Sequence, residues 1–334
     1  MQLPALLTSD LHLTAAPRDA YRWTLFDYLE DQCRVEEVKT LCILGDLTDA
    51  KDYHPSSLTN RIVEQMVRLR KVVDSIVILQ GNHDYLRAGH AYFEFLNHIP
   101  GVRFITHIWD DMLANPDGPG VLWLPHTKTP ATDWAKIDTT HFDYVFMHQT
   151  VGGAVASNGQ KMDGENVPDL SAWCKVYSGD IHVPQVIKGV EYVGSPYHVH
   201  FGDAFDPRLV LLDRRNRPVD LKFECVRRTT VTVSTLADLK RMRFKAGDQV
   251  KLRFDLTEAE KHDWRTLRKA ALEHLKYEQV EVEGVELRVQ KVGAALMESA
   301  PRTTSINPAD AVYRYCATQE LGGDVLDLGL EIIE

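Results

Sequence analysis

Cysteine is scarce: five residues in 334, none in a Cys-x-x-Cys pair, leave no zinc-ribbon or disulfide framework to read. Cys33, Cys42, Cys174, Cys225 and Cys316 are odd in number and widely scattered. Cys42 lies inside an apolar run and reads as a small buried hydrophobe. Such usage fits a reducing cytoplasm. Long hydrophobic runs are also missing, since none approaches the roughly 18 residues that cross a bilayer. The start, Met1-Gln2-Leu3-Pro4, lacks the basic opening of a secretory signal, and no membrane association is expected. Positive charge is short as well, with 38 Lys and Arg against 48 Asp and Glu and a net charge of −10. That deficit argues against a stand-alone nucleic-acid binder, whose phosphate contacts need cations. The objection weakens if some of the acids hold divalent ions, which would invert the local field. The one locally basic stretch, Arg208 to Arg228, reads most simply as a solvated hairpin surface.

What the chain does have is a set of five short apolar runs, each ending in a residue able to ligate a metal. They are Leu6-Leu7-Thr8-Ser9-Asp10-Leu11-His12, Ile43-Leu44-Gly45-Asp46, Ile78-Leu79-Gln80-Gly81-Asn82-His83-Asp84, Val145-Phe146-Met147-His148 and Tyr177-Ser178-Gly179-Asp180-Ile181-His182. Runs of this length, rich in Val, Ile and Leu, are expected as buried strands. Ligands just past such strands converge on one rim of the sheet, where open α/β folds build their sites. Carboxylate, amide and imidazole donors without thiolate suit hard to borderline divalent ions such as Mn²⁺, Mg²⁺ or Fe²⁺. The pattern points to a two-metal hydrolase.

Helix-like segments separate the early runs. Arg18 to Arg34 carries Trp23, Phe26, Leu29 and Cys33 on one face, and Ser57 to Val73 carries Leu58, Ile62, Met66, Leu69 and Val73. This is an α/β pattern, mostly strand after Gly120, with a Gly-rich segment of no clear period between Thr150 and Leu170. A second, small α+β unit is expected from Thr229. Ser234 would cap a helix to about Arg243, and Val250, Leu252, Phe254 and Leu256 alternate as a strand. Thr257-Glu258-Ala259-Glu260 forms a capping box before an amphipathic helix, and Val280 to Val289 gives one strand or a hairpin. A Pro/Thr/Ser connector follows Val292. A short helix is expected from Asn307-Pro308, and Val325 to Ile333 is apolar enough to dock on its own domain or on another chain.

Roles follow from residue type. Asp46 has two carboxylate oxygens and can bridge two cations about 4 Å apart. Asp10 and His12 suit the first cation, with His182 completing it; Asn82 and His148 suit the second. Two such ions would activate water and clamp phosphoryl oxygens. His83, beside a ligand but on the other side of an extended chain, reads as a free histidine serving the leaving group, and Asp84 as the group that orients it. His54, His198 and His200 are candidate substrate contacts, the last two on one side of an alternating strand. Taken alone, each motif has a plainer explanation in turns, caps or surface histidines; together and in this order they do not.

The set D-x-H, G-D, G-N-H-D, a later His and a closing G-x-x-H resembles the calcineurin-like metallophosphoesterase superfamily. Within it the chain resembles the SbcD-type nuclease subunits of bacteria and phages, on the segments Ser178-Gly179-Asp180-Ile181-His182-Val183-Pro184-Gln185 and Tyr192-Val193-Gly194-Ser195-Pro196 with Phe201-Gly202-Asp203. The resemblance implies a four-layer α/β/β/α sandwich with a small α+β cap domain and a C-terminal helical extension. The boundaries are 1–228 for the nuclease domain, 229–292 for a DNA-orienting cap, and 293–334 for a linker and partner-binding segment. It implies two Mn²⁺ ions (or Mg²⁺) as cofactors, DNA as substrate, an SbcC-type coiled-coil ATPase as partner, a homodimer, and exonuclease or single-strand endonuclease action in repair or recombination. The chain departs from the family at Asp180, where the G-H-x-H pattern has its first histidine; a carboxylate can replace it on Mn²⁺ or Mg²⁺. The rival expectations are a phosphoesterase for small molecules or phosphoproteins on the same core, and a catalytically weak scaffold that binds DNA ends.

Overall fold

The computed structural model describes residues 1–290 apart from 88, 113–117 and 173. The chain divides into two compact units, one of Met1–Asp255 with Asp263–Arg288 and one of Leu256–His262 with Val289–Glu334. In the described part of the second unit, Thr257 and Glu260 make the capping box read from the sequence. The Thr257 N–H donates to Glu260 Oε2 at 2.9 Å, and the Glu260 N–H donates to Thr257 Oγ1 at 3.4 Å. The expected linker, terminal helix and apolar end lie outside the described residues.

Two six-stranded sheets form the body of the first unit. In spatial order the first comprises β14 (Pro218–Leu221), β13 (Leu209–Leu212), β1 (Ala5–Thr8), β2 (Thr40–Ile43), β3 (Ser75–Leu79) and β6 (Val102–Ile105). The second comprises β11 (Gln185–Ile187), β12 (Val190–Tyr192), β10 (Lys175–Gly179), β9 (Tyr144–His148), β8 (Val121–Leu124) and β7 (Trp109–Asp110). A hairpin of β4 (Tyr85–Arg87) and β5 (His90–Ala91) leaves the end of the first sheet. The central strands are parallel, and β1, β2, β8 and β9 are buried along their whole length, which is why they read as unbroken apolar runs.

Alternation of side chains makes three apolar layers from these two sheets. Ala5, Leu7, Cys42, Leu44, Trp123, Tyr144, Phe146, Tyr177 and Val210 fill the space between the sheets. Trp123 and Phe146 rings lie 4.7 Å apart there, and Tyr144 stacks on Phe146 at 5.7 Å. Leu6, Leu41, Ile43, Ile76 and Ile78 face the other way, under helix α1 (Leu25–Val35) and helix α2 (Ser56–Leu69). The outer face of the second sheet, with Leu122, Leu124, Val145, Met147 and Val176, is covered by Trp134, Val151, Ala154 and Leu170. That covering layer holds the four-residue α3 (Pro130–Asp133) and the segment after Thr150, so the fourth layer is mostly loop. The two-sheet α/β sandwich expected from the resemblance is present, with helices over the first sheet and mostly loop where the fourth, helical layer was expected.

Beyond Cys225 a parallel pair, β15 (Arg228–Val233) with β16 (Gln249–Leu256), is extended by β17 (Glu281–Val289), which is a single strand. Helix α4 (Leu236–Arg241) and helix α5 (Trp264–Tyr277) pack on it, with Trp264 edge-on to Phe254 at 5.1 Å. The cap of α4 is Thr235, not Ser234: its hydroxyl accepts from the Asp238 N–H while Asp238 accepts from the Thr235 N–H. Arg228 is buried and ties this sheet to the 3₁₀ helix Pro17–Thr24. It donates to the Asp19 carboxylate, to the Val199 carbonyl at 2.9 Å and to Gln249 Oε1 at 2.9 Å. Other basic residues of the 208–228 stretch are neutralised locally, Arg208 by Glu191 and Asp220 and Arg217 by Asp213.

Candidate metal centre

Sheet register brings the ligand-type residues to one rim. In the first sheet Thr8 lies opposite Ile43, and Ile43 opposite Ile78, so the chain segments after β1, β2 and β3 emerge side by side. In the second sheet His148 lies directly opposite Gly179, which sets Asp180 beside it. The backbone then turns sharply. Asp10, His12, Asp46 and Asp180 all have positive φ, at 54°, 42°, 53° and 81°. Four non-glycine residues in this costly region, of order 1–3 kcal/mol each, are held there by the surrounding structure and mark a functional rim. The Asp10 and His12 N–H groups donate to the carbonyls of Gly45 and Asp46 at 3.1 and 3.0 Å, locking the two loops together.

Asp46 stands between two groups of donors. Its Oδ2 is 3.6 Å from His12 Nε2, and its Oδ1 is 3.3 Å from His148 Nε2. On the first side His12 Nε2 and His182 Nε2 face each other at 3.0 Å, and Asp10, His12 and His182 offer ligand atoms within 4.8 Å of one another. On the second side His148 Nε2 is 3.7 Å from Asp180 Oδ1, and Asp10, Asp46 and His148 form another such group. The His148 Nδ1–H donates to the Leu44 carbonyl at 2.6 Å, which leaves the Nε2 lone pair for a ligand.

The donor set fits a pair of divalent cations. Asp10 Oδ2, Asn82 Oδ1 and His148 Nε2 are buried and have no hydrogen-bond partner. Orphaned polar atoms of this kind cost about 1–3 kcal/mol each, and three on one rim call for an ion. The electrostatics agree. Burial alone would raise Asp46, but His148, His12 and His83 hold it well below the usual carboxylate range. Burial opposes protonation of His148, yet Asp46, Asp180 and Asp10 raise it well above the ordinary histidine value. Asp10 is pushed up to about 6 by burial, with His148 opposing and the Asp46 charge adding to the rise. His182 falls to about 3 through burial and the neighbouring His12 and His200. These opposed shifts describe a site built for positive charge at its centre.

Glycine makes the convergence possible. A Cβ on Gly81 would stand 2.3 Å from Asp46 Oδ1 and 2.4 Å from the Asp46 nitrogen. One on Gly179 would stand 2.2 Å from both the Leu44 carbonyl and Ser9 Oγ. Only a residue without a side chain lets these strand ends close on each other.

Other expected site residues fall in and out of this cluster. His83 is in it: its ring lies edge-on to His12 at 4.8 Å, and its Nδ1 meets the Asp49 carbonyl at 2.7 Å. Burial lowers its proton affinity. With Nδ1–H donating to Asp49, Nε2 is the ring nitrogen that Asp49 does not engage, and His83 offers a ligand atom within 4.8 Å of those of His12 and Asp46. The structure corrects the role of Asp84. Its carboxylate does not orient His83; it accepts from the N–H groups of Asp46, Leu47 and Gly81 at 2.8, 2.9 and 2.7 Å. Asp84 therefore shapes the Asp46 loop, and burial with the Asp46 charge raises it to about 7.

His200 stacks on His182 at 5.4 Å, which places it beside the cluster. His198 cannot follow it, because Tyr197 to His200 is loop and not an alternating strand: its Nε2 meets the Phe205 carbonyl at 2.9 Å. His54 also turns away, with Nε2 on Thr48 Oγ1 at 2.7 Å and its ring against Tyr92 and Phe93. Asp180 joins the centre through Oδ1 while its other oxygen accepts from the Thr150 hydroxyl. Sequence reasoning missed Asp49, whose Oδ1 is 3.4 Å from His12 Nδ1 and whose carbonyl holds His83. Its signal was its place three residues after Asp46 in the same loop. Arg22 was missed too; it is buried and donates to the carbonyls of His12 and Val199.

The family model for calcineurin-like phosphoesterases matches residues 3–184, more than half of the chain, and the chain belongs to that family. Among solved structures the chain is similar to the nuclease MPE of Pseudomonas putida, at 16% identity over 65% of this chain and 87% of that one, with a TM-score of 0.32. No curated protein matches. Membership makes the chain a metal-dependent phosphoester hydrolase, and no helix among the described residues is long and apolar enough to cross a membrane.

Proposed function

We propose that this chain is the nuclease subunit of an SbcD-type complex, hydrolysing phosphodiester bonds at DNA ends with two Mn²⁺ ions. The observation that carries the reading is the position of Asp46, with one oxygen toward the His12–His182 pair and the other toward His148. Asp10, His12, Asp46 and His182 would hold one cation, and Asp46, Asn82, His148 and Asp180 the other. When bound, such a pair supplies an activated water and charge neutralisation for a phosphoryl group. The chain's own residues do the rest. His83, steadied by the Asp49 carbonyl, would exchange a proton with the leaving oxygen. His200, stacked on His182, would contact the phosphoryl side. The Leu44 carbonyl and the Asp84 carboxylate keep His148 and the Asp46 loop in place.

In this reading residues 1–228 are the nuclease domain, 229–292 a cap that orients DNA, and 293–334 the segment that binds an SbcC-type ATPase. The protein works in the cytoplasm as a homodimer in recombination or repair. The net charge of −10 fits a division of labour in which partner and metals supply most of the grip on DNA. The same charge also favours the rival reading, a phosphoesterase for small molecules or phosphoproteins. Hydrolysis of linear duplex DNA compared with cyclic nucleotides and phosphopeptides, in Mn²⁺, separates the two. Degradation of the duplex from its ends is expected; turnover of the small esters with intact DNA would overturn the nuclease assignment.

A further inference from the structure

Two donor sets of unequal character face the Asp46 carboxylate. On the first side stand the carboxylates of Asp10 and Asp46 and the imidazoles of His12 and His182. On the second stand oxygens from Asp46, Asn82 and Asp180 with the single imidazole of His148. Counting His83 on the first side only deepens the contrast. A histidine at position 180 would make the two sets equal in nitrogen and oxygen; Asp180 is the residue that makes them differ. It is firmly held. Its N–H donates to Asp10 Oδ1 at 3.1 Å, one carboxylate oxygen accepts from the Thr150 hydroxyl, and the other lies 3.7 Å from His148 Nε2. Its φ of 81° belongs to a region that Asp, Asn and His enter more readily than other side chains. The other imidazole near this side, His126, has its ring edge-on to His148 at 6.2 Å and its Nδ1 at 2.9 Å from the Tyr85 hydroxyl.

We propose that Asp180, fixed by Thr150, sets the metal preference of the second position, which accepts Mg²⁺ nearly as well as Mn²⁺ while the first position holds Mn²⁺ against Mg²⁺. The inference rests on the reading of the site as a two-cation centre and adds which ion each side takes. Imidazole nitrogen suits borderline transition ions, whereas Mg²⁺ is served by oxygen donors and retained water. Each nitrogen in a set therefore favours Mn²⁺, and each carboxylate narrows the difference. With Mn²⁺ alone both positions fill with Mn²⁺. With both ions present the pair is mixed, Mn²⁺ on the His12–His182 side and Mg²⁺ on the His148 side.

Elemental analysis of the full chain equilibrated with Mn²⁺, with and without a large excess of Mg²⁺, tests this. Two Mn²⁺ ions are expected without Mg²⁺ and one with it, the remaining anomalous peak lying on the His12–His182 side. Asp180→His, which suits the same backbone turn, is expected to keep both Mn²⁺ ions under that excess, its second position gaining at least about tenfold in preference for Mn²⁺. His126 is the same in both chains, so the difference reads Asp180 alone. Thr150→Val leaves every ligand in place and should weaken Mg²⁺ at the second position by about threefold to tenfold, with Thr150→Ser restoring it. Retention or loss of both Mn²⁺ ions together by the unaltered chain, an Asp180→His chain that exchanges as the unaltered one does, or equal Mg²⁺ binding by the two Thr150 variants would overturn the inference. Such a failure leaves a two-Mn²⁺ hydrolase standing. Binding of a single Mn²⁺ in the absence of Mg²⁺ would instead sink the two-cation reading, and the preference with it.

Discussion

At the scale of single residues the account depends on one carboxylate shared between two donor groups. Removing it should behave differently from removing a ligand on one side. Asp46→Ala is expected to abolish binding of both Mn²⁺ equivalents, and Asn82→Ala only one, read as stoichiometry in calorimetric titration. Gly81→Ala tests the close approach directly. Its new methyl group must displace Asp46, so activity should fall at least tenfold, with a stability loss of about 1–3 kcal/mol by chemical denaturation. Unchanged activity would mean that Asp46 need not sit where it does.

Most of this centre was legible because ligand-type residues ended apolar runs, and strand ends in a parallel sheet share a rim. Asp84 was not, because adjacency to His83 in sequence says nothing about direction; the backbone turns after Gly81 and sends the carboxylate to three N–H donors. Asp49 was hidden for the converse reason. An aspartate in a loop is usually a turn former, and only the fold brings its carbonyl to His83.

Among the elements, the tie between the 3₁₀ helix Pro17–Thr24 and strand β15 is the most exposed to test. Asp19 and Arg228 are both buried there and paired. Burial works against the Asp19 charge, but the Thr14 hydroxyl, Arg22 and Arg228 bring its proton affinity below the ordinary carboxylate value. A carboxylate depressed in the folded state adds stability above its unfolded value near about 4, and that stability is lost as pH falls through the folded value. Asp19→Asn should therefore cost about 3–5 kcal/mol at neutral pH, since it leaves Arg228 without its partner. The gap to the unaltered chain should narrow below about pH 4, followed by thermal melting across pH 2 to 7. A gap independent of pH would remove the ion pair from the account.

Element positions followed well from periodicity in α1 and α2, whose buried faces carry the expected Phe26, Leu29, Leu58, Ile62 and Met66. They failed where local chemistry competes. Val199 between two histidines looks like strand alternation, yet Asp203 accepts from the N–H groups of Val199 and His200 and folds the segment into a loop. Thr235 took the cap from Ser234 because Asp238 lies at the right distance to reciprocate.

For the whole molecule, acidity and metal dependence are one subject. Seven donors crowd a buried rim, and without cations their mutual repulsion and unsatisfied atoms work against folding. Metal that binds only the folded chain stabilises it by mass action, by about 4 kcal/mol at a thousandfold excess over the dissociation constant. Chelation should accordingly lower the melting temperature by several degrees, and restored Mn²⁺ should recover it. Binding of duplex DNA by the isolated chain is expected to be weak and strongly salt-dependent in fluorescence anisotropy. Tight binding without an ATPase would end the proposed division of labour. The most direct test of the central claim is anomalous diffraction at the manganese edge from crystals soaked in Mn²⁺. Two peaks about 4 Å apart, one on each side of the Asp46 carboxylate, are the predicted result. A single peak, or density away from Asp46, would contradict it.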